Sequence, residues 1–156
     1  MGTSIQVKVV WHHRTGQPMK PVDTRYLDDA DRRTLGESAD RREAIRGGDL
    51  RVFFRPGDRT QPGHPNHIPD RCFVGVIAHH GSHRSRTPPT LSLRRAAMVI
   101  ARDCRPIHAW PLSALRGAGL SPADHRSLLR YLRRKYPRET LDLSSRVTRI
   151  EVVYPE

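Results

Sequence analysis

Cysteine, lysine, acidic and aromatic residues are all scarce in this 156-residue chain, and no long apolar run is present. The two cysteines, Cys72 and Cys104, lie far apart, so they form neither a CxxC pair nor a disulfide framework. Cys72 begins an apolar run and Cys104 ends one, which makes both small strand residues in a reduced, cytoplasmic setting. No stretch approaches the ~20 apolar residues that a membrane helix needs. Lys8 and the pair His12–His13 interrupt the apolar run near the N-terminus, so a secretory signal is not expected either. Hydrophobic residues make up 36% and aromatics 6%, enough for one modest core over a single domain, 1–156. Two enzyme domains with a linker are excluded by length.

Against 16 acidic residues stand 28 basic ones, giving a formal net charge of +12. Only Lys8, Lys20 and Lys135 are lysines. Arginine in place of lysine is a common result of GC-rich coding and says little by itself. The excess of base over acid is different, because such a surface attracts polyanions, nucleic acid foremost among them. An acidic protein partner in a larger complex is the other expectation.

Hydrophobic alternation predicts a half-buried strand over 4–11 and further strands over 50–55, 72–80, 96–101 and 147–154, with a short one near 107–110. A short helix is expected over 39–46, stopped by Gly47–Gly48. Residues 12–37 read as turns followed by an acidic-basic mix, and the proline-rich stretch 56–71 as a long loop. Ser121 as N-cap and Pro122 at the first helical position predict a basic C-terminal helix over about 122–136, stopped by Pro137. On it Leu128, Leu129, Leu132 and Tyr136 form an apolar stripe, while Arg126, Arg130 and Arg134 fall at i, i+4, i+8 on another face. About five or six strands with two or three helices make an α+β fold, a small barrel.

The segment Gly48-Asp49-Leu50-Arg51-Val52-Phe53-Phe54 followed by Phe73-Val74-Gly75-Val76-Ile77 suggests a tight β-ribbon. This order of a Gly-Asp turn, a strand ending in aromatics and a Val-Gly-Val strand resembles the PUA-like superfamily, and within it the EVE and YTH-like modules. Met98-Val99-Ile100, then Arg105-Pro106-Ile107, is similar to their next strand and its proline-marked exit. The resemblance covers roughly residues 44–116. It implies a barrel that binds RNA, or DNA with a modified or flipped base, without a reaction or a cofactor of its own. Such a site needs aromatic faces for stacking and a basic rim for phosphates. The candidates are Trp11, His12, His13, Arg14, Phe54, Arg55 and Trp110, with Arg126, Arg130, Arg133 and Arg134 as the rim.

A competing pattern is His79-His80-Gly81-Ser82 after an apolar strand, with Asp58 upstream. It resembles the later part of metallo-β-lactamase-type hydrolases and would imply metal held by Asp58, His79 and His80 in a degenerate or split site. The HxHxDH signature of that family's first half is missing. His64 and His67, with His79, His80 and His83, form a looser histidine group whose plainer reading is a polar loop. His12 and His80 are the pair a small acid–base nuclease would use.

Overall fold

The computed structural model describes residues 7–8, 22–23, 33–80 and 90–155. Val7–Lys8 (β1) and Val22–Asp23 (β2) form a two-stranded antiparallel ladder. The remaining strands are Thr34–Ser38 (β3), Val52–Pro56 (β4), Phe73–His80 (β5), Thr90–Pro106 (β6) and Arg146–Val153 (β7). They form a mixed sheet in the order β3-β5-β6-β7-β4, rolled into a nearly closed small barrel. Only the β3–β5 pairing is parallel.

β6 makes the roll possible. Its first half pairs with β5, from Thr90 to Met98, and its second half with β7, from Met98 to Pro106. A register slip at Val99/Ala101 falls at the change of partner and another at Ala78/His79 near the start of β6, where bulges bend a sheet as they do at barrel corners. The apolar signal marks only the middle of this 17-residue strand. Pairing first with β5 and then with β7 recruits the charged residues around it.

Two cores result. Leu35, Phe53, Val74, Val76, Val99, Ile150 and Val152 fill the barrel. Val52, Phe54, Ile107, Trp110, Leu128, Leu132 and Val147 form the second core, beneath the C-terminal helix His125–Lys135 (α2). β4 is therefore buried on both faces. Ala39–Arg41 is a 3-10 turn that runs into the helix Arg42–Arg46 (α1). α1 ends at Gly47 and Gly48, and the latter's φ of +78° is a conformation glycine adopts without a steric cost. Arg95 caps the last carbonyls of α1, donating to Ile45 O at 3.0 Å and Arg46 O at 2.8 Å.

Four expectations need correction. β3 lies where turns and charged residues were expected, because it borrows β5 as a partner. The segments 48–54 and 73–77 do not form a ribbon: β4 pairs with β7, while β5 lies between β3 and β6. Ile107–Ala109 is a 3-10 turn rather than a strand. α2 begins at His125, not Pro122: Ser121–Pro122 is a cis peptide, and Asp124 is the N-cap, accepting from Ser127 N at 2.8 Å. The 4–11 strand falls outside the described residues apart from β1.

Candidate nucleic-acid interface

α2 turns two different faces to its surroundings. Leu128 and Leu132 are buried, and Leu129, Tyr131 and Tyr136 pack partly against the second core. Arg126, Arg130 and Arg134 are exposed on the other side. The helix carries no acidic residue at all. Among the described residues, none of those three arginines is in an ion pair, although Arg126 and Arg130 help hold the Asp124 carboxyl below its usual range, behind its bonds from Ser127. Arg133 serves the fold: its Nε and Nη2 donate to Leu141 O at 3.0 and 2.8 Å, fastening the segment after the helix. At the helix start, His125 Nε2 lies 2.6 Å from Trp110 O, and the exposed Arg105 sits 4.8 Å over the Trp110 ring. Arg105 Nε also donates to Asp103 Oδ2 at 2.9 Å, so its charge is paired.

The aromatic candidates are placed differently. Phe54 and Trp110 meet edge to face, ring centroids 5.8 Å apart, and both are buried in the core beneath α2. They support the helix instead of presenting a platform to solvent. Trp11, His12, His13 and Arg14 lie outside the described residues. Arg55 is 2% exposed and points to a partner no sequence pattern marked, Glu37.

Glu37 sits at the seam where the barrel's edge strands β3 and β4 approach. Arg55 Nη2 donates to its Oε1 at 3.2 Å and to Gly36 O at 3.2 Å. From α2, the Tyr131 hydroxyl lies 2.8 and 2.7 Å from the two Glu37 oxygens, and Lys135 Nζ donates to Gly36 O. Arg41 is 3.8 Å from Oε2, lies 4.4 Å over the Tyr131 ring, and also donates to Ala118 O at 3.0 Å. Burial alone would raise the Glu37 pKa. Arg55, Lys135, Arg41 and the Tyr131 hydroxyl outweigh it, so the carboxyl stays below its ordinary value and remains charged. Lys135 goes the other way: burial, with Arg55, Arg41 and Arg59 nearby, lowers it to about 8 despite Glu37. The Tyr131 hydroxyl is raised by burial and by Glu37. The sequence signal for this cluster was slight, a tyrosine and a lysine four apart beside the leucine stripe of α2.

The metal candidates do not converge among the described residues, where no three His, Cys, Asp or Glu side chains come together. Asp58 accepts from Thr60 N at 3.1 Å, Thr60 Oγ1 at 2.5 Å and Gln61 Nε2 at 3.3 Å, so it organises a turn. His79 and His80 end β5, His79 opposite Ser38 of β3 and Leu91 of β6. His64 accepts from Asn66 N at 2.9 Å, and His67 Nδ1 lies 3.1 Å from Arg59 O, both within the loop. His83 and His12 lie outside the described residues. Also among those residues, no helix is long and apolar enough to cross a membrane. Comparison with protein-family models, curated proteins and solved structures gives no match.

Proposed function

We propose that this protein is a nucleic-acid-binding module whose small barrel, of the PUA-like kind the resemblance implies, carries α2 as a phosphate grip. The observation behind this reading is the exposed face Arg126, Arg130, Arg134 on a helix without an acidic residue, in a chain of net charge +12. Arginine forks match phosphate oxygens bidentately, and a row one helical turn apart follows a strand's backbone. Leu128 and Leu132 seat the helix on the second core, which positions the backbone that carries this face. Phe54 and Trp110 act as the bed of the helix in this reading, and base recognition falls to other groups.

Salt titration of binding to a short RNA or DNA duplex and to a single strand tests the proposal. Each phosphate contact contributes about 0.9 to the fall of log K with log salt on duplex DNA, and about 0.7 on single strands. The triple substitution Arg126→Ala, Arg130→Ala, Arg134→Ala should therefore flatten the slope by roughly 2 to 3 while leaving the thermal midpoint near wild type. A wild-type slope near zero would overturn the reading and leave an acidic protein as the partner to pursue.

A further inference from the structure

The proline-rich loop after β4 is built, not slack. Thr148 Oγ1 donates to Gly57 O at 2.7 Å and accepts from Arg59 N at 2.8 Å. Ile68 N donates to Arg59 O at 2.8 Å and its side chain is 2% exposed in the barrel core. Arg102 Nη1 donates to Thr60 O at 2.8 Å. Between this loop and the start of β3 lies a cleft of about 590 Å³, within the usual size range of small-molecule sites. Among the described residues, Arg33, Thr34, Arg59, Asn66 and His67 supply polar lining, and Pro62, Pro65 and Ile68 apolar lining.

A second, independent observation concerns the charge beside the cleft. Among the described residues, Glu37 is the one carboxylate facing Arg41, Arg55 and Lys135 at the seam, and Arg59 is close enough to disfavour a proton on Lys135. Three cations thus share a single anion, and Arg59 adds positive charge beside them. Arg59 lies beside that group and lines the cleft; its side chain hydrogen-bonds Tyr136, while its Nε is enclosed without a hydrogen-bond partner. Buried positive charge in excess is costly unless an anion compensates it.

We propose that this cleft binds a phosphate monoester, sized for a nucleoside monophosphate. Arg33 and Arg59 take the phosphate, Thr34 and Asn66 the ribose or base edge, and the prolines offer apolar surface to the base. The ligand is either a free nucleotide or the 5′-phosphorylated end of a strand. In the second case the inference rests on the nucleic-acid reading; in the first it does not.

Two titrations of the full chain separate these cases. The first uses inorganic phosphate, AMP and UMP, followed by calorimetry. The second compares 5′-phosphorylated and 5′-hydroxyl forms of one oligonucleotide. Arg33 and Asn66 are exposed, so Arg33→Ala with Asn66→Ala leaves the fold intact, and circular dichroism checks that. The variant should lower the affinity for AMP or UMP by about tenfold or more, the loss of one strong charged contact. A strand-end site adds a preference of similar size for the 5′-phosphate, abolished in the same variant. Nucleotide binding without strand binding would keep the cleft and discard the nucleic-acid reading. The inference is overturned if neither nucleotide nor 5′-phosphate has an effect, or if the variant binds as wild type does. In either event, a salt slope that still depends on the α2 arginines would leave the nucleic-acid reading standing.

Discussion

Glu37 and Lys135 both bond at the seam, Glu37 to Arg55 and Tyr131, Lys135 to Gly36, and both pKa values are lowered there, which favours the charged carboxylate and disfavours the charged ammonium. The Glu37 pKa is depressed from 4.5, so its contribution is complete above about pH 4.5 and is lost as pH falls through the folded value. Lys135 is depressed from 10.5 to about 8, so its buried charge costs stability at neutral pH. Between those two values the unfolded chain holds a proton the folded one has released, and stability rises with pH, by at most about 1.4 kcal/mol per pH unit. Comparing wild type with Lys135→Met and with Glu37→Gln in thermal unfolding isolates each group from the rest of the chain, including the two cysteines whose thiols burial raises. Wild type should gain on Lys135→Met between about pH 8 and about pH 9, and lose ground to Glu37→Gln below about pH 4.5. Parallel curves would show that neither group is placed as described. This cluster was barely legible in the sequence. Glu37 follows a glycine in a stretch that reads as polar turn, and its partners lie 18 and 94 positions away. A lone glutamate announces nothing about burial until the fold brings three cations around it.

At the scale of elements, α2 joins the second core to the seam. Its register was legible: Leu128 and Leu132 point inward and Arg126, Arg130 and Arg134 outward, as the 3.6-residue period requires. Its start was not, because Ser121-Pro122 imitates a helix opening while Asp124 provides the cap. The strands divide in the same way. β4, β5 and β7 carry enough alternation or apolar content to be read locally. β3 has one fully buried apolar residue, Leu35, and exists through its parallel partner. The ribbon expected between β4 and β5 failed because local pattern says which segments are strands and not which strands pair. Leu132 is fully buried among β4, β7 and the 3-10 turn residues, so Leu132→Ala should cost about 2–5 kcal/mol in chemical denaturation. Nucleic-acid affinity at temperatures where the variant stays folded should fall as well, since the arginine face loses its bed. A loss near zero would mean that the helix rests on the barrel more lightly than its packing indicates.

Over the whole molecule, the barrel closes by two kinds of bond. Four ladders join β3, β5, β6, β7 and β4 through backbone hydrogen bonds, but the gap between β3 and β4 is bridged by side chains, chiefly Arg55 to Gly36 O and Glu37. Stability is therefore uneven. β7 is paired along both edges for much of its length and β6 carries two successive ladders, whereas β3 has five residues and one ladder. Arg55→Met removes the bridge while leaving Glu37 buried, the circumstance in which a broken ion pair costs about 3–5 kcal/mol. That loss should be spread unequally. In native-state hydrogen exchange, amides of β3 and of the turn after it should lose protection by more than those of β6 and β7, which report the global unfolding. The cleft proposed as a phosphate site has one wall on the start of β3, so the same variant should also weaken nucleotide binding without touching a residue that lines it. Uniform loss of protection across all five strands would show instead that the barrel opens as one cooperative unit. The seam would then be no weaker than the ladders on either side of it.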